Sequence, residues 1–276
     1  HPADDFPADD VGYGFDNIGD VLTMPPILME KYLDAAEDII DMVYKNRFVF
    51  TKYLKVSSPE KVTSADFPKI LEDIATKAYR RPATKDEVEK LVKLCEMLVK
   101  KGETPSNALK AGLQAILVSP KFLFHVEIDP DPNSTAPHQV NQFELANRLS
   151  YFLWSTMPDT VLFDLAKQNK LYEKGVIEEQ VTRMLKDPKA KAFTLNFPEQ
   201  WLHLRNLKTI NPDKAKFPTF TDALRDDMAK EAELFFEYIT KENRSILELL
   251  DADYTFLNLR LATHYGIKNV TKPEFT

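Results

Sequence analysis

The sequence predicts an all-α protein: two packed helical bundles with an irregular acidic segment at the N-terminus. Three observations carry this expectation. Apolar residues recur at helical spacing along most of the chain, only 7 of the 276 residues are glycine, and 18 are proline, several of them where a helix would begin.

The elements follow in order. "PPILMEKYLDAAEDIIDMVY" enters on prolines and repeats apolar positions at Leu28, Tyr32, Ala36, Ile39 and Val43. "RFVFTKYLKV" alternates apolar and polar residues, which suits a short extended segment within Lys45 to Ser64. "TKDEVEKLVKLCEMLVKK" opens with Thr84 and Glu87 at capping-box spacing and ends at Gly102, a natural stop. Cys95 shares a face there with Leu91, Leu94 and Leu98, which reads as a buried small hydrophobe. A Thr-Pro and a Ser-Pro entry open the next two runs, with a corner at Ser119-Pro120. Asn141 caps "QFELANRLSYFLWS", with Glu144 three residues on, and Thr221 caps the long "TDALRDDMAKEAELFFEYITKE". "IDPDPNSTAPHQ" is rich in proline and polar residues and reads as a linker.

These runs give three blocks. Residues 1–63 hold the N-terminal loop, a first helix and an extended connector; 64–128 form a middle helical module; 138–276 form a larger C-terminal one. No apolar run approaches the roughly 20 residues of a membrane-spanning helix. His1 opens no signal-peptide pattern, so a soluble segment with more chain upstream is expected. A formal net charge of -7 argues against general nucleic-acid binding, which needs a basic face.

Few stretches point to chemistry. "DDVGYGFDNIGD" gathers Asp9, Asp10, Asp16 and Asp20 among glycines that would let the backbone wrap a hard cation such as calcium. It lacks the D-x-D-x-D-G start of an EF-hand. The alternatives are a solvated acidic turn that packs Tyr13 and Phe15 onto the helices and a partner-binding loop. The histidines His1, His125, His138, His203 and His264 share no metal-ligand spacing; His125 and His203 read as structural side chains, with axial ligation of a haem carried elsewhere as the alternative. There is no G-x-S-x-G elbow and no phosphate loop. With 43 acidic residues, sequence proximity assigns no acid–base pair. Trp154 and Trp201 would line a sugar or cofactor cleft or else pack in the core, and Arg148 and Asp159 would clamp Trp154 or serve as surface pairs and caps. Tyr254 and Asn258 in "DADYTFLN" suit a turn.

Several stretches together carry a family likeness: "DDFPADDVGYGFDNIGDVLTMPPILMEKYLDAAE", "AYRRPATKDEVEKL" with "GLQAILVSPKFLFHVE", "ELANRLSYFLWSTMPD", "RMLKDPKAKAFTLNFPEQWLHLRNL" and "LLDADYTFLNLRLATHYGI". The chain resembles the central helical modules of large planctomycete-type multi-module proteins that often carry a c-type cytochrome domain. It departs from them in two ways. It has a single cysteine and no C-x-x-C-H motif, so any haem c would lie outside these residues, and between its first and second blocks it has only Lys45 to Ser64 where many relatives carry a β-rich module. The resemblance implies an extracytoplasmic helical core that positions a haem module, a cytochrome partner or a substrate for redox chemistry. The competing expectation is a non-catalytic scaffold or binding module linked to polysaccharide-related machinery. A hydrolase would need a deep cleft with two facing acids.

Overall fold

A computed structural model describes residues 6–7, 15, 18–19, 22–127, 129, 131 and 133–276. Among the described residues there are thirteen α-helices, a few short 3-10 turns and no extended strand. The all-α expectation holds. The chain divides into two compact units, one built on residues 22–147 and the other on 148–276.

The first unit contains α1 (Pro26–Lys45), α2 (Arg47–Leu54), α3 (Phe67–Ala78), α4 (Lys85–Lys100), α5 (Pro105–Leu117) and the single turn α6 (Pro120–Leu123). Phe6 meets Tyr32 of α1 edge to face, with ring centroids 5.1 Å apart. The extended reading of "RFVFTKYL" is overturned, because this stretch is helix α2. The Asn46 side chain accepts from the Val49 N–H and starts the helix. The alternation also concealed Phe50 and Leu54, one helical turn apart and both buried in the core.

The boundary residues named from sequence act as expected elsewhere. Thr84 and Glu87 form a reciprocal capping box, Gly102 ends α4 at a positive φ of 100°, and Ser119 caps the corner into α6. The core is filled by Phe50, Phe67, Leu71, Cys95, Leu109, Leu113 and Ile116. At its centre α3, α4 and α5 meet at Gly112, where a Cβ would lie 2.6 Å from Cys95 Sγ and 3.1 Å from a Leu71 methyl. Burial pushes the Cys95 thiol up to about 11, so it stays protonated and inert.

A polar lock closes one end of this unit. Arg80 has a left-handed backbone (φ 58°) and is only 5% exposed. Its guanidinium donates to the carbonyls of Lys121, Phe122 and Phe124 at 2.8–3.1 Å. Arg81 grips the buried Glu87 with two bonds of 3.0 and 2.7 Å, and Glu87 also accepts from the Thr84 N–H and pairs with Lys121. The Arg81 hydrogen bond, opposed by burial and aided by Lys121 and Thr84, holds Glu87 far below the usual carboxylate range.

The second unit runs from the last residues of α7 (Gln142–Trp154) through α8 (Thr160–Lys167), α9 (Val176–Lys186), α10 (Lys191–Trp201), α11 (Asp222–Lys241), α12 (Glu248–Asp251) and α13 (Leu259–Tyr265). Asn141 and Thr221 cap α7 and α11, as their positions in the sequence suggested. Leu162, Leu171 and Met184 are fully buried, and Leu224, Leu257, Leu261 and Ala262 form a separate small cluster. Leu257 and Thr276 exchange backbone hydrogen bonds at 3.2 and 3.1 Å and so close the C-terminal segment over α13.

Gly112→Ala should destabilise the first unit by about 2 kcal/mol, because the new methyl group must displace Cys95 and Leu71, both fully buried; urea unfolding measures it. Glu87→Gln should cost about 2 kcal/mol at neutral pH. The folded-state pKa of Glu87 is depressed, so its contribution is complete above the unfolded value near ~4.3 and fades as pH falls below it. The difference between wild type and variant should therefore shrink in unfolding curves taken below about pH 4.

Candidate functional site

The second unit presents an open recess of about 320 Å³ between α11, α12 and the segment that follows. Met228, Phe235, Leu249 and Ala252 supply its apolar lining, and Glu231, Glu248, Tyr254 and Thr255 supply the polar part. α11 positions Glu231 and Phe235 one turn apart, and the short α12 brings in Glu248.

Both carboxylates accept two hydrogen bonds, Glu231 through its two oxygens and Glu248 through Oε2 alone. Glu231 accepts from the Thr255 hydroxyl at 2.6 Å through one oxygen and from the Tyr265 hydroxyl at 2.8 Å through the other. Burial and this bond raise the Tyr265 phenol to about 12. Glu248 accepts from Tyr254 at 2.5 Å and from Arg244 at 3.0 Å, and these donors hold it below the usual carboxylate range. Glu248 is therefore an ionised acceptor at neutral pH and no proton donor. Tyr254 sits among Phe235, Tyr238 and Phe256, with centroids 5.3–6.4 Å away. Leu250, 87% exposed, belongs to the apolar lining as well, and Ile246 and Leu247, 75% and 63% exposed, come just before it in the chain. The arrangement offers an apolar shelf with a polar rim held by hydrogen bonds.

The residues singled out from sequence fall elsewhere in the unit. Trp154 is 3% exposed, and its indole N–H donates to the Met184 carbonyl at 2.9 Å. Of the two readings of Trp154, the structure places it in the core. Arg183 and Lys189 lie over its ring at 5.4 and 4.6 Å. Asp159 caps α8 through the Leu162 N–H and takes a two-pronged bond from Arg183 at 2.7 and 3.3 Å. Of the readings of Asp159, capping is the one it takes, and the cation that grips it is Arg183 on α9. Burial raises the Asp159 carboxyl, but the Arg183 bond, the Leu162 N–H and the nearby cations outweigh that and leave it lowered. Trp201 is 47% exposed at the end of α10. Asn258 caps α13 through the Leu261 N–H, while Tyr254 serves the recess.

Asp9, Asp10, Asp16 and Asp20 lie outside the described residues, so the calcium reading is not addressed by this geometry. Among the described residues no three His, Cys, Asp or Glu side chains converge as a metal site, and no helix is long and apolar enough to cross a membrane. Sequence reasoning missed Glu231, Glu248 and Arg183, because nothing in their spacing sets them apart from the chain's other charges.

Arg183→Leu should remove one of the two cations over Trp154 and the hydrogen-bonded counter-ion of Asp159. A loss of about 1–2 kcal/mol is expected in chemical denaturation followed by tryptophan emission.

Three stretches of the chain match family models. Residues 1–45 match PSD3, a protein of unknown function (DUF1587); residues 67–127 match PSD5, a protein of unknown function (DUF1595); residues 140–267 match PSD4, a protein of unknown function (DUF1592). No curated protein and no solved structure matches the chain. Segment by segment, then, the chain is similar to three families of unknown function that follow one another along it.

Proposed function

We propose that this chain is a helical docking core of a multi-module protein, which holds a neighbouring module or partner in place and leaves the chemistry to it. The observation that carries the reading is the run of Ile246, Leu247 and Leu250, the last of which lines the recess. Three large aliphatic side chains at 63–87% exposure in five residues mark a contact surface. The buried and half-buried charges of both units support it as well. Arg80, Arg81, Glu87, Asp159 and Arg183 serve caps and clamps within their own unit.

In its finer form the docked module is a c-type cytochrome working in extracytoplasmic electron transfer, as the resemblance implies. The haem would supply the redox step, and this chain would orient it. A net charge of -7 favours a partner with a basic face and a salt-sensitive encounter.

The test titrates the chain with a soluble basic c-type cytochrome and follows tryptophan quenching by the haem. Binding on the order of micromolar, weakened about tenfold by Leu250→Asp and by raised salt, is the expected result. Leu250 is 87% exposed, so the variant keeps its fold. Equal quenching by wild type and variant, or none at all, overturns the proposal.

A further inference from the structure

A second surface of the same unit has a different chemistry. α10 carries Phe193, Phe197 and Trp201 at successive turns, so their rings fall in one row. Phe193 and Phe197 stack at 5.6 Å with 14° between planes, and Phe197 and Trp201 stack at 5.7 Å with 26°. Phe152 of α7 meets the row edge-on, with centroids 5.0 and 5.7 Å away. The buried Phe236 of α11 packs against Phe193 and Phe197 at 5.6 and 6.3 Å and supports the row from below. The outer part remains open to solvent: Phe152 is 55% exposed and Trp201 is 47% exposed.

Polar groups border these rings. Asn196, on the flank of α10 next to Phe193, donates from its amide nitrogen to the Ser155 hydroxyl at 2.7 Å. Ser155 holds a left-handed backbone (φ 51°) at the end of α7, a conformation that would suit glycine better. That bond leaves the Asn196 carbonyl as an acceptor and the Ser155 proton as a donor on the surface. Among the described residues the Trp201 indole N–H has no partner. The exposed rings are thus accompanied by the exposed Asn196 and Ser155 near the Phe152 and Phe193 end and by the indole N–H at the Trp201 end, with no charged side chain among these residues.

We infer that this face binds a neutral polysaccharide by stacking one pyranose ring on Trp201 and laying a neighbouring sugar of the same chain against the exposed Phe152. The electron-rich ring face receives the C–H groups of the sugar, and hydroxyls bond to Asn196, Ser155 and the indole N–H. The absence of charge, on a chain of net charge -7, selects against phosphorylated and sulfated polymers. A purely apolar partner would leave the Asn196 carbonyl and the Ser155 proton covered and unbonded, at a cost.

The test uses the full chain labelled with 5-fluorotryptophan, whose two resonances are assigned with Trp201→Phe. Hydroxyethylcellulose, xyloglucan, laminarin and soluble starch are added in turn at low and high salt. The expected result is a shift of the Trp201 resonance alone with at least one of them, unchanged by salt. Trp201→Ala should lose affinity on the order of tenfold or more in affinity gels, and Asn196→Ala a few fold, with helical circular dichroism intact. No shift with any of the polymers, binding that survives Trp201→Ala, or a response only to an apolar peptide overturns the proposal. The docking variant Leu250→Asp should bind the polymer as wild type does, so the two readings fail separately.

Discussion

The first unit depends on one carboxylate. Glu87 accepts from Arg81, Lys121 and the Thr84 backbone, and so joins the end of α3, the start of α4 and the turn α6 at a single buried point. A charge placed there is costly to bury alone and cheap to bury once every lone pair is taken. The neighbouring Arg80 completes the lock by bonding three carbonyls of the segment after α5, which have no helical partner of their own. The "YRRP" stretch is therefore a structural device. Its first arginine ends one helix and fastens another, its second fastens the helix that follows, and the proline separates them.

Much of the fold was legible because helix ends announce themselves locally. Thr84, Glu87, Gly102, Ser119, Asn141 and Thr221 act within three or four residues of their own position, so a linear reading finds them. The failure at "RFVFTKYL" has the same origin. Over eight residues an alternating pattern and a helical one share most positions, and the cap at Asn46 decided between them. Arg80 was out of reach for another reason: its partners lie 41 to 44 positions away.

The surfaces were less legible than the frame. Trp154 and Trp201 looked alike in sequence, yet one is sealed under Met184 and the other ends an exposed row of rings. The difference lies in which helix each one faces, and composition does not encode that. Asp159 likewise found its arginine in α9 rather than on its own helix side. The recess acids became visible only when α11, α12 and the C-terminal segment came together, because each is an ordinary glutamate in its own stretch.

The contact between Gly112 and Cys95 also limits how the sequence can drift. The sulfur occupies the space that a side chain on α5 would need, with Leu71 closing the remaining side. The cysteine is thus held for its volume, and its thiol chemistry is incidental. The two positions form one size quota, in which position 112 gains a methyl group only when position 95 gives up its sulfur. In related chains the residues at these two sites should change together or not at all, and the lone cysteine should give way to alanine wherever the glycine has been replaced.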